Sequence, residues 1–204
     1  MELHLIRHPR PDIPAGVCYG QADIGIIESA HAVAERLRPL LPAEFTLHAS
    51  PLSRARLLAE ALGTPRLDDR LKEMYFGEWE LKPYVELGDA VDRWVSDPLG
   101  FSAPGGESAH DLSRRVRHWL AETLDQHTAD ARAPADSDST DSTDSTGAAS
   151  APLVVVAHGG PLRVIAGHLL GLPAERWLAL EFACGHTTRI DVEDWGVVLK
   201  WFNR

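Results

Sequence analysis

Short apolar runs bounded by turn residues divide the chain into strands and the segments between them. Such runs predict five β-strands, because the buried strands of a sheet are near-continuous in hydrophobic residues. The predicted strands are Glu2–Ile6, Phe45–Ala49, Leu153–Ala157, Thr187–Val192 and Val197–Phe202. Between the last two strands lies Glu-Asp-Trp-Gly, which predicts an antiparallel hairpin at an edge of the sheet.

Apolar residues spaced three and four positions apart, together with capping residues, predict four α-helices. The first runs from about Ser29 to Leu40, and the second ends at Gly63. The third runs from about Ser108 to Leu124, and the fourth from Pro161 to Gly171. Strands that alternate with helices favour a mostly parallel sheet covered on both faces. The pattern therefore predicts an α/β domain that includes a helix layer on each side of the sheet.

Composition supports one folded domain with one exceptional segment. The 204 residues are 44% hydrophobic and 25% charged, enough for a single globular domain, residues 1–204, with a buried core. Residues 129–151 repeat Asp, Ser and Thr and contain no apolar side chain larger than alanine. Such a segment cannot offset the entropy cost of ordering, so it predicts a disordered acidic loop.

Net charge and hydrophobicity limit the classes of partner that the protein could bind and the cell compartment in which we expect it. A formal net charge of -10 argues against nucleic acid but not against a small anionic substrate, because local cations can outweigh the total. No run reaches the roughly 20 apolar residues that a membrane span needs. Cys18 and Cys184 form no motif, which is typical of reduced thiols. We expect a cytoplasmic protein that binds neither nucleic acid nor membrane.

Three of the predicted strands end in residues that suit an anion. Arg7 and His8 follow the first strand, and His158 and Gly159 follow the third. Ser-Pro follows the second strand, and Arg54 lies in the first turn of the next helix. The carboxyl ends of parallel strands share one edge of a sheet, where such folds bind ligands. Helix N-termini add backbone N–H donors there, and arginine forks match phosphate oxygens. The pattern therefore predicts a phosphate site.

Each of these residues, taken alone, has an ordinary structural interpretation. A histidine after a strand is more often a hydrogen-bonded structural residue than a catalyst. Arg54 could equally lie on a helix surface, and the two glycines after His158 could form an ordinary tight turn. It is the joint placement at three strand ends that favours a functional site.

Four motifs in order resemble the histidine phosphatase superfamily, also called phosphoglycerate mutase-like. They are LIRHP (5–9), SPLSRA (50–55), LKEMYFGEWE (71–80) and VVVAHGG (154–160), and PGGES (104–108) resembles a further family segment. The motif EMYFGEWE is most similar to the α-ribazole phosphatase branch. The resemblance implies a three-layer αβα sandwich with a mostly parallel central sheet, one antiparallel edge strand, and a helical roof over the carboxyl ends of the strands.

The resemblance also implies residue roles. His8 would be the nucleophile that forms a phosphohistidine, and Glu73 would give a proton to the leaving group, with His158 as the third catalytic residue. The phosphate-binding residues would be Arg7, Arg54, His158 and Gly159. This chemistry requires no cofactor and no metal, and the ten histidines form no His-Glu-x-x-His spacing.

The residue types fit that chemistry. A neutral imidazole is a good nucleophile at phosphorus, and covalent catalysis splits hydrolysis into two easier displacements. Nearby arginines disfavour a protonated His8 and stabilise the charge on the phosphoryl oxygens. An alkoxide leaves poorly unless it is protonated, which is the role implied for Glu73.

The chain departs from the family pattern at several positions. Pro9 stands where a glycine is usual, Pro14 where several members have asparagine, and Leu81 where a glycine often follows Trp-Glu. Gln21 is a candidate replacement for the missing polar contact, and Tyr84 is a candidate substrate contact. These departures affect substrate choice more than phosphoryl chemistry.

Four aromatic residues after the third motif have two interpretations. They could stack on a planar base, or they could pack in the core of amphipathic helices, and the core interpretation is favoured. They are Tyr84, Trp94, Phe101 and Trp119.

The expected function is hydrolysis of a phosphomonoester on a small phosphorylated metabolite, with α-ribazole 5'-phosphate as the leading candidate. α-Ribazole phosphatases act in the assembly of the cobalamin lower ligand. Three alternatives stay open: a mutase that returns the phosphoryl group to its substrate, a non-catalytic module that binds a phosphorylated ligand, and a phosphoprotein phosphatase. The sequence leaves the oligomeric state open, with a homodimer through the edge hairpin as one candidate.

Overall fold

The computed structural model of the chain describes residues 1–132 and 151–204. The described strands are β1 (Glu2–Arg7), β2 (Thr46–Ala49), β3 (Arg66–Leu67), β4 (Leu153–Ala157), β5 (Thr187–Glu193) and β6 (Gly196–Trp201). The described α-helices are α1 (Ala30–Leu37), α2 (Ser53–Leu62), α3 (Asp89–Ser96), α4 (Ala109–Arg132) and α5 (Gly159–Leu169). Short 3-10 helices connect several of these elements, among them Gly77–Trp79 and Tyr84–Glu86.

The strands form one mixed sheet in the order β3-β2-β4-β1-β5-β6. Strands β3, β2, β4 and β1 are parallel, whereas β5 is antiparallel to β1 and β6 is antiparallel to β5. The predicted mostly parallel sheet with an antiparallel hairpin at its edge is confirmed. Within that hairpin, β5 is the strand that runs against the others, and β6 forms the edge.

Alternating side chains of the central strands fill two cores, one on each face of the sheet. Leu5 of β1 packs in the core beneath α4 and α5, and its neighbour Ile6 packs in the core beneath α1 and α2. Val155 and Val156 divide between the two cores in the same way. Successive side chains of a strand point to opposite faces, so these near-continuous apolar runs produce the predicted αβα sandwich.

Helix α4 extends beyond its predicted end at Leu124 and continues to Arg132. The predicted loop at 129–151 is therefore wrong at its start, because residues 129–132 are helical. Residues 125–132 contain neither glycine nor proline, and the next proline is Pro134, so nothing in this stretch stops the helix. The rest of the predicted loop, residues 133–150, lies outside the described residues.

The segment between α2 and α4 contains elements that the hydrophobic pattern did not predict. Strand β3 has two exposed residues, and helix α3 has eight residues, none of them buried. Gly88, with a φ of 54°, precedes α3 in place of a capping side chain, so the sequence carries no start signal there. The segment nevertheless matters, because Trp94 of α3 lines the cavity described below.

Neither described range contains a helix that combines the length and apolarity needed to cross a membrane. Both cysteines are free thiols, Cys18 buried and Cys184 half-buried.

Candidate active site

The predicted site residues meet where β1, β4 and β2 end side by side. Arg7 pairs in register with Ala157, the residue before His158, and the backbone N–H of His8 donates to the Ala157 carbonyl at 3.0 Å. The imidazole rings of His8 and His158 lie 5.0 Å apart between centroids. Parallel pairing therefore brings together two residues that are far apart in the sequence.

His8 is almost completely buried, with 1% of its surface exposed, and has a defined tautomer. Its Nδ1 lies 2.6 Å from the carbonyl oxygen of Pro9, which can only accept a hydrogen bond, so Nδ1 carries the proton. Burial, followed by the positive charge of Arg54, lowers the pKa of His8 to about 3. The ring is therefore neutral near pH 7, and its Nε2 holds an available lone pair.

His158 is fully buried beside it and is also neutral. Its Nε2 lies 2.8 Å from the hydroxyl oxygen of Ser50, which accepts from the backbone N–H of Leu52 at 3.3 Å. Ser50 can therefore donate its hydroxyl proton to Nε2, and in that tautomer Nδ1 of His158 carries the proton. Burial lowers the pKa of His158 well below its usual value, and the charge of Arg54 lowers it further.

Two arginines of the site donate to backbone carbonyls and form no ion pair with a carboxylate of the described residues. Arg54 is fully buried and donates to the carbonyls of Ala22 and Gly20. Arg7 donates through Nη1 to the carbonyl of Phe182 at 2.7 Å. Both guanidinium groups therefore keep their positive charge uncompensated at the end of the sheet, which suits an anion.

Three buried nitrogen atoms of the site have no hydrogen-bond partner in the described part of the chain. They are Nε of Arg7, Nε of Arg54 and Nδ1 of His158. Buried donors are normally satisfied, so each requires an acceptor. A phosphoryl group offers three oxygen acceptors to such a set.

Glu73 reaches the same place from the segment after β3. Its side chain accepts from the backbone N–H of Gly160 at 3.1 Å and from that of Met74 at 2.9 Å. Its backbone carbonyl accepts from Gln21 at 3.0 Å and from Arg115 at 2.9 Å. Side chain and backbone of Glu73 are therefore both fixed by hydrogen bonds.

The loop from Cys18 to Asp23 is held by a residue that the sequence analysis did not single out. The Glu80 carboxylate accepts from the backbone N–H groups of Gln21 at 2.7 Å, of Phe76 at 3.2 Å, and of Ala22. The Gln21 amide donates to the Glu73 carbonyl, so the structure assigns it a positioning contact, and its predicted contact with substrate stays a prediction. The motif Gly-Glu-Trp-Glu contains Glu80, but only the fold shows what it holds.

A cavity of about 280 Å³ opens beside the site, lined by Arg7, Glu73 and Gly160 on one side. Tyr84 and Trp94 form part of its aromatic wall, with their rings nearly parallel and 6.3 Å apart between centroids.

The other two candidate aromatics lie elsewhere. Phe101 packs against Trp79 at 5.3 Å, and Trp119 is buried in the core beneath α4, against His48 at 5.7 Å. The core interpretation is thus correct for Trp119. Phe101, Tyr84 and Trp94 pack against a smaller apolar cluster around Trp79, and Tyr84 and Trp94 also line the cavity.

The departures from the family pattern have separate structural consequences. Pro9 is buried and its carbonyl fixes the His8 tautomer, whereas Pro14 is exposed. Leu81 has a φ of 65°, a left-handed conformation that favours glycine, which accounts for the glycine usual there. Its N–H donates to the Cys18 carbonyl at 2.8 Å, so the strained residue anchors the loop.

Two arginines at the site were missed by the sequence analysis. Arg115 of α4 donates to the carbonyls of Arg70, Lys72 and Glu73 and pairs with Glu107. Arg163 of α5 lines the cavity. Neither follows a strand, so strand-end placement carried no signal for them. Within residues 1–132 and 151–204, no three side chains of His, Cys, Asp or Glu cluster as metal ligands would.

Comparison with protein families decides the identity. The sequence model of the histidine phosphatase superfamily (branch 1) matches residues 3–133 and 140–204. The chain belongs to this superfamily. The resemblance carried by the four motifs is therefore confirmed, and this histidine phosphatase is a phosphoric monoester hydrolase.

Relatives of the histidine phosphatase include proteins with different named substrates. An adenosylcobalamin/alpha-ribazole phosphatase of Salmonella typhimurium is 27% identical, over 100% of this chain and 96% of the relative. A glucosyl-3-phosphoglycerate phosphatase of Mycolicibacterium vanbaalenii is 30% identical, over 87% of this chain and 78% of the relative. The crystal structure of the alpha-ribazole phosphatase from Shigella flexneri has a TM-score of 0.82 over 100% of this chain and 96% of that chain, at 24% identity, which shows the shared fold.

Proposed function

We propose that the protein hydrolyses a small phosphorylated metabolite through a phosphohistidine formed on His8. The observation that carries the proposal is the set of three nitrogens, on Arg7, Arg54 and His158, that have no hydrogen-bond partner among the described residues and lie beside a neutral, oriented His8. Their donors match the three oxygens of a phosphoryl group. The N-terminus of α5, at Gly159, adds a favourable dipole for the same anion.

In the first step, the lone pair on His8 Nε2 attacks phosphorus and the bond from phosphorus to the ester oxygen breaks. The protonated carboxyl of Glu73 gives its proton to that oxygen, and the alcohol leaves. Arg7, Arg54 and His158 stabilise the charge on the three phosphoryl oxygens. The Pro9 carbonyl stabilises the positive charge that develops on the ring by holding the proton on Nδ1.

In the second step, water attacks the phosphohistidine and the bond from phosphorus to Nε2 breaks. The Glu73 carboxylate accepts the proton from the water, so the carboxyl and the neutral imidazole are both restored. Inorganic phosphate is released. The fixed backbone and side chain of Glu73 suit this double role, because the same oxygen atoms must serve leaving group and water in turn.

The first ester to test is α-ribazole 5'-phosphate, because a relative aligned over the whole chain is named for it. The stacked pair Tyr84 and Trp94 in the cavity wall also suits a planar base. The cytoplasmic location and a homodimer through the β5–β6 hairpin stay predictions.

The nucleophile is tested by trapping the intermediate. We expect that brief incubation with a ³²P-labelled phosphomonoester, followed by alkaline quenching, labels the protein on His8 with an acid-labile, alkali-stable adduct. His8→Ala should remove the label and lower kcat/KM by at least about 10³-fold, since the covalent route is lost. Exposed His31→Gln is the matched control and should keep both.

The trapping assay and a measurement of released inorganic phosphate together separate the alternatives. A binding module would bind phosphate without forming the adduct, and a mutase would move the phosphoryl group of a phosphoglycerate without releasing phosphate. Near wild-type turnover by His8→Ala would falsify the nucleophile assignment.

A further inference from the structure

Arg163 is one of the arginines of the described chain that have no acidic partner. Six arginines pair with carboxylates within 4 Å: Arg36, Arg56, Arg70, Arg114, Arg115 and Arg189. Arg163 is half-buried and donates only through Nε, to the Leu180 carbonyl at 2.9 Å. That bond fixes the base of the guanidinium and leaves both terminal nitrogens, Nη1 and Nη2, without a protein acceptor among the described residues.

The guanidinium of Arg163 lies beside the phosphate-binding end of the site. A Cβ placed on Gly159 would be 3.2 Å from Arg163 Nη1 and 3.6 Å from Arg7 Cζ. The two guanidinium groups therefore flank the same glycine and lie next to each other. Burial lowers the pKa of Arg163, and the charge of Arg7 lowers it further, although the charge of Glu73 raises it.

The remaining wall of the cavity is largely apolar. Beyond the phosphate-binding end, Arg163 faces a surface built mainly from aromatic and aliphatic side chains: Tyr84, Trp94, Leu99, Trp177 and Leu178. A partly desolvated cation against such a wall costs free energy unless an anion compensates it. Arg7 already faces the phosphoryl site, so Arg163 is the cation left for another part of the substrate.

We propose that Arg163 determines specificity by binding a carboxylate on the leaving group of the phosphomonoester. A carboxylate matches the two terminal N–H groups of one guanidinium and carries the single charge that one arginine compensates. Because Arg163 adjoins Arg7, the carboxylate lies a few bonds from the phosphorylated oxygen. The substrate class is a short phosphorylated hydroxy acid, alone or with a larger apolar or sugar substituent in the cavity.

This inference rests on the proposed phosphatase function and selects among its esters. α-Ribazole 5'-phosphate has a planar base but no carboxylate, so it is the opposing candidate. Two further probes differ at one carbon only: D-3-phosphoglycerate has a carboxylate where sn-glycerol 1-phosphate, which has the same arrangement at C2, has a hydroxymethyl group.

The experiment measures kcat/KM for phosphate release from the three esters by wild type, Arg163→Gln and Arg117→Gln. Arg117 is an exposed arginine of α4 and serves as the matched control. We expect wild type to prefer D-3-phosphoglycerate over both other esters. Arg163→Gln should lower kcat/KM for D-3-phosphoglycerate by about 10- to 100-fold, the range for a charge-assisted hydrogen bond, and by less than about 3-fold for sn-glycerol 1-phosphate.

The ratio of kcat/KM for two substrates, measured on one protein preparation, does not depend on the fraction of the variant that is folded. Equal losses on both glycerol-derived esters, or a wild-type preference for α-ribazole 5'-phosphate that Arg163→Gln leaves unchanged, would overturn the inference while leaving the phosphatase function intact. If wild type hydrolyses none of the esters, nor p-nitrophenyl phosphate, the proposed function fails and the inference fails with it.

Discussion

The state of His8 is determined by a backbone atom and by burial, not by an acidic neighbour. Many catalytic histidines are oriented by a carboxylate, which raises the pKa of the ring. Here the Pro9 carbonyl orients the ring, while burial and Arg54 lower its pKa to about 3. The proposed nucleophile therefore stays unprotonated throughout the physiological range of pH, and loss of activity on mild acidification has to come from another group.

The role of Glu73 predicts a dependence on the leaving group. Glu73→Gln removes the proton donor but keeps an acceptor for the Gly160 N–H. We expect kcat/KM for an alkyl phosphate to fall by about 10²- to 10⁴-fold, the usual contribution of general acid catalysis, because an alkoxide needs the proton. The loss for p-nitrophenyl phosphate should be far smaller, since nitrophenolate leaves unprotonated. Steady-state kinetics on both esters measure the difference.

Glu78→Gln is the control for this substitution, since Glu78 is an exposed carboxylate in the same segment. It should leave both rates within about 3-fold of wild type, as expected for a surface group. Equal losses on the alkyl and the aryl ester in Glu73→Gln would contradict the assignment of Glu73 as proton donor.

At the residue scale, the sequence could locate the site residues that directly follow strands. It could not locate the residues that hold the loops of the site or face its cavity. Arg7, His8 and His158 converge because they directly follow paired strands, and a parallel sheet makes that placement predictable. Glu80 and Arg163 carried no such signal. Glu80 acts on the loop 18–23 from almost 60 residues away, and Arg163 faces the cavity only because of how α5 is oriented.

At the scale of elements, helix α5 supplies more than the residues that open it. Its first turn directs the Gly160 N–H at the Glu73 carboxylate at 3.1 Å, so the helix holds a side chain from another segment. A Cβ on Gly160 would lie 2.1 Å from Glu73 Oε1 and 2.9 Å from Leu112 Cδ2. Close approach of the carboxylate therefore requires glycine at this position.

Gly160→Ala should consequently displace the Glu73 carboxylate without changing Glu73 itself. We expect it to lower kcat/KM for an alkyl phosphate by at least about 10-fold, because a displacement of about 1 Å at a catalytic group is costly. The melting temperature should change by only a few degrees, since alanine is the better helix former and only the ends of side chains must move. Steady-state kinetics test the expected loss of activity, and thermal unfolding tests the expected small change in melting temperature.

Gly25→Ala is the matched control, because nothing lies within 4 Å of a Cβ at Gly25. It should preserve activity. Wild-type activity of Gly160→Ala on alkyl phosphates would show that the carboxylate need not occupy the observed position.

The sequence predicted helices and strands correctly where their side chains are buried, and it failed where they are exposed. Strand β4 is buried at all five positions and was predicted with correct bounds. Helix α3 has no buried residue, contains only eight residues and lacks a capping side chain, so no start signal marks it in the sequence. The end of α4 was predicted too early because its last turns are polar, although they contain no helix breaker.

At the scale of the whole molecule, burial of neutral histidines makes stability depend on pH. Burial lowers the pKa of His8 to about 3 and that of His48 to about 4, and it also lowers the pKa of His4 and His158. Below the ordinary histidine value of about 6.5, the unfolded state binds protons that the folded state excludes. Stability is therefore complete above about pH 6.5 and decreases as the pH falls towards 4.

His48 lies outside the active site, so it allows this effect to be measured alone. His48→Phe keeps the ring that packs against Trp119 and removes one buried titrating group. Between pH 6 and pH 4.5, we expect the free energy of unfolding to fall less steeply than in wild type, by up to about 1.4 kcal/mol per pH unit. Urea unfolding at several pH values measures the slope.

The comparison needs an exposed histidine as reference. His31→Gln alters an exposed position of α1 and should reproduce the wild-type slope. An identical slope in His48→Phe and wild type would contradict the assignment of a buried neutral His48.

The position of β1 has a consequence for synthesis. β1 contains the residues that directly precede His8, yet its two neighbours in the sheet are β4 and β5, which begin at residues 153 and 187. A chain growing on the ribosome from its N-terminus thus exposes an apolar central strand long before either neighbour exists. A nascent chain of this enzyme must be protected until β5 has been synthesised, and its activity should appear all at once after that point.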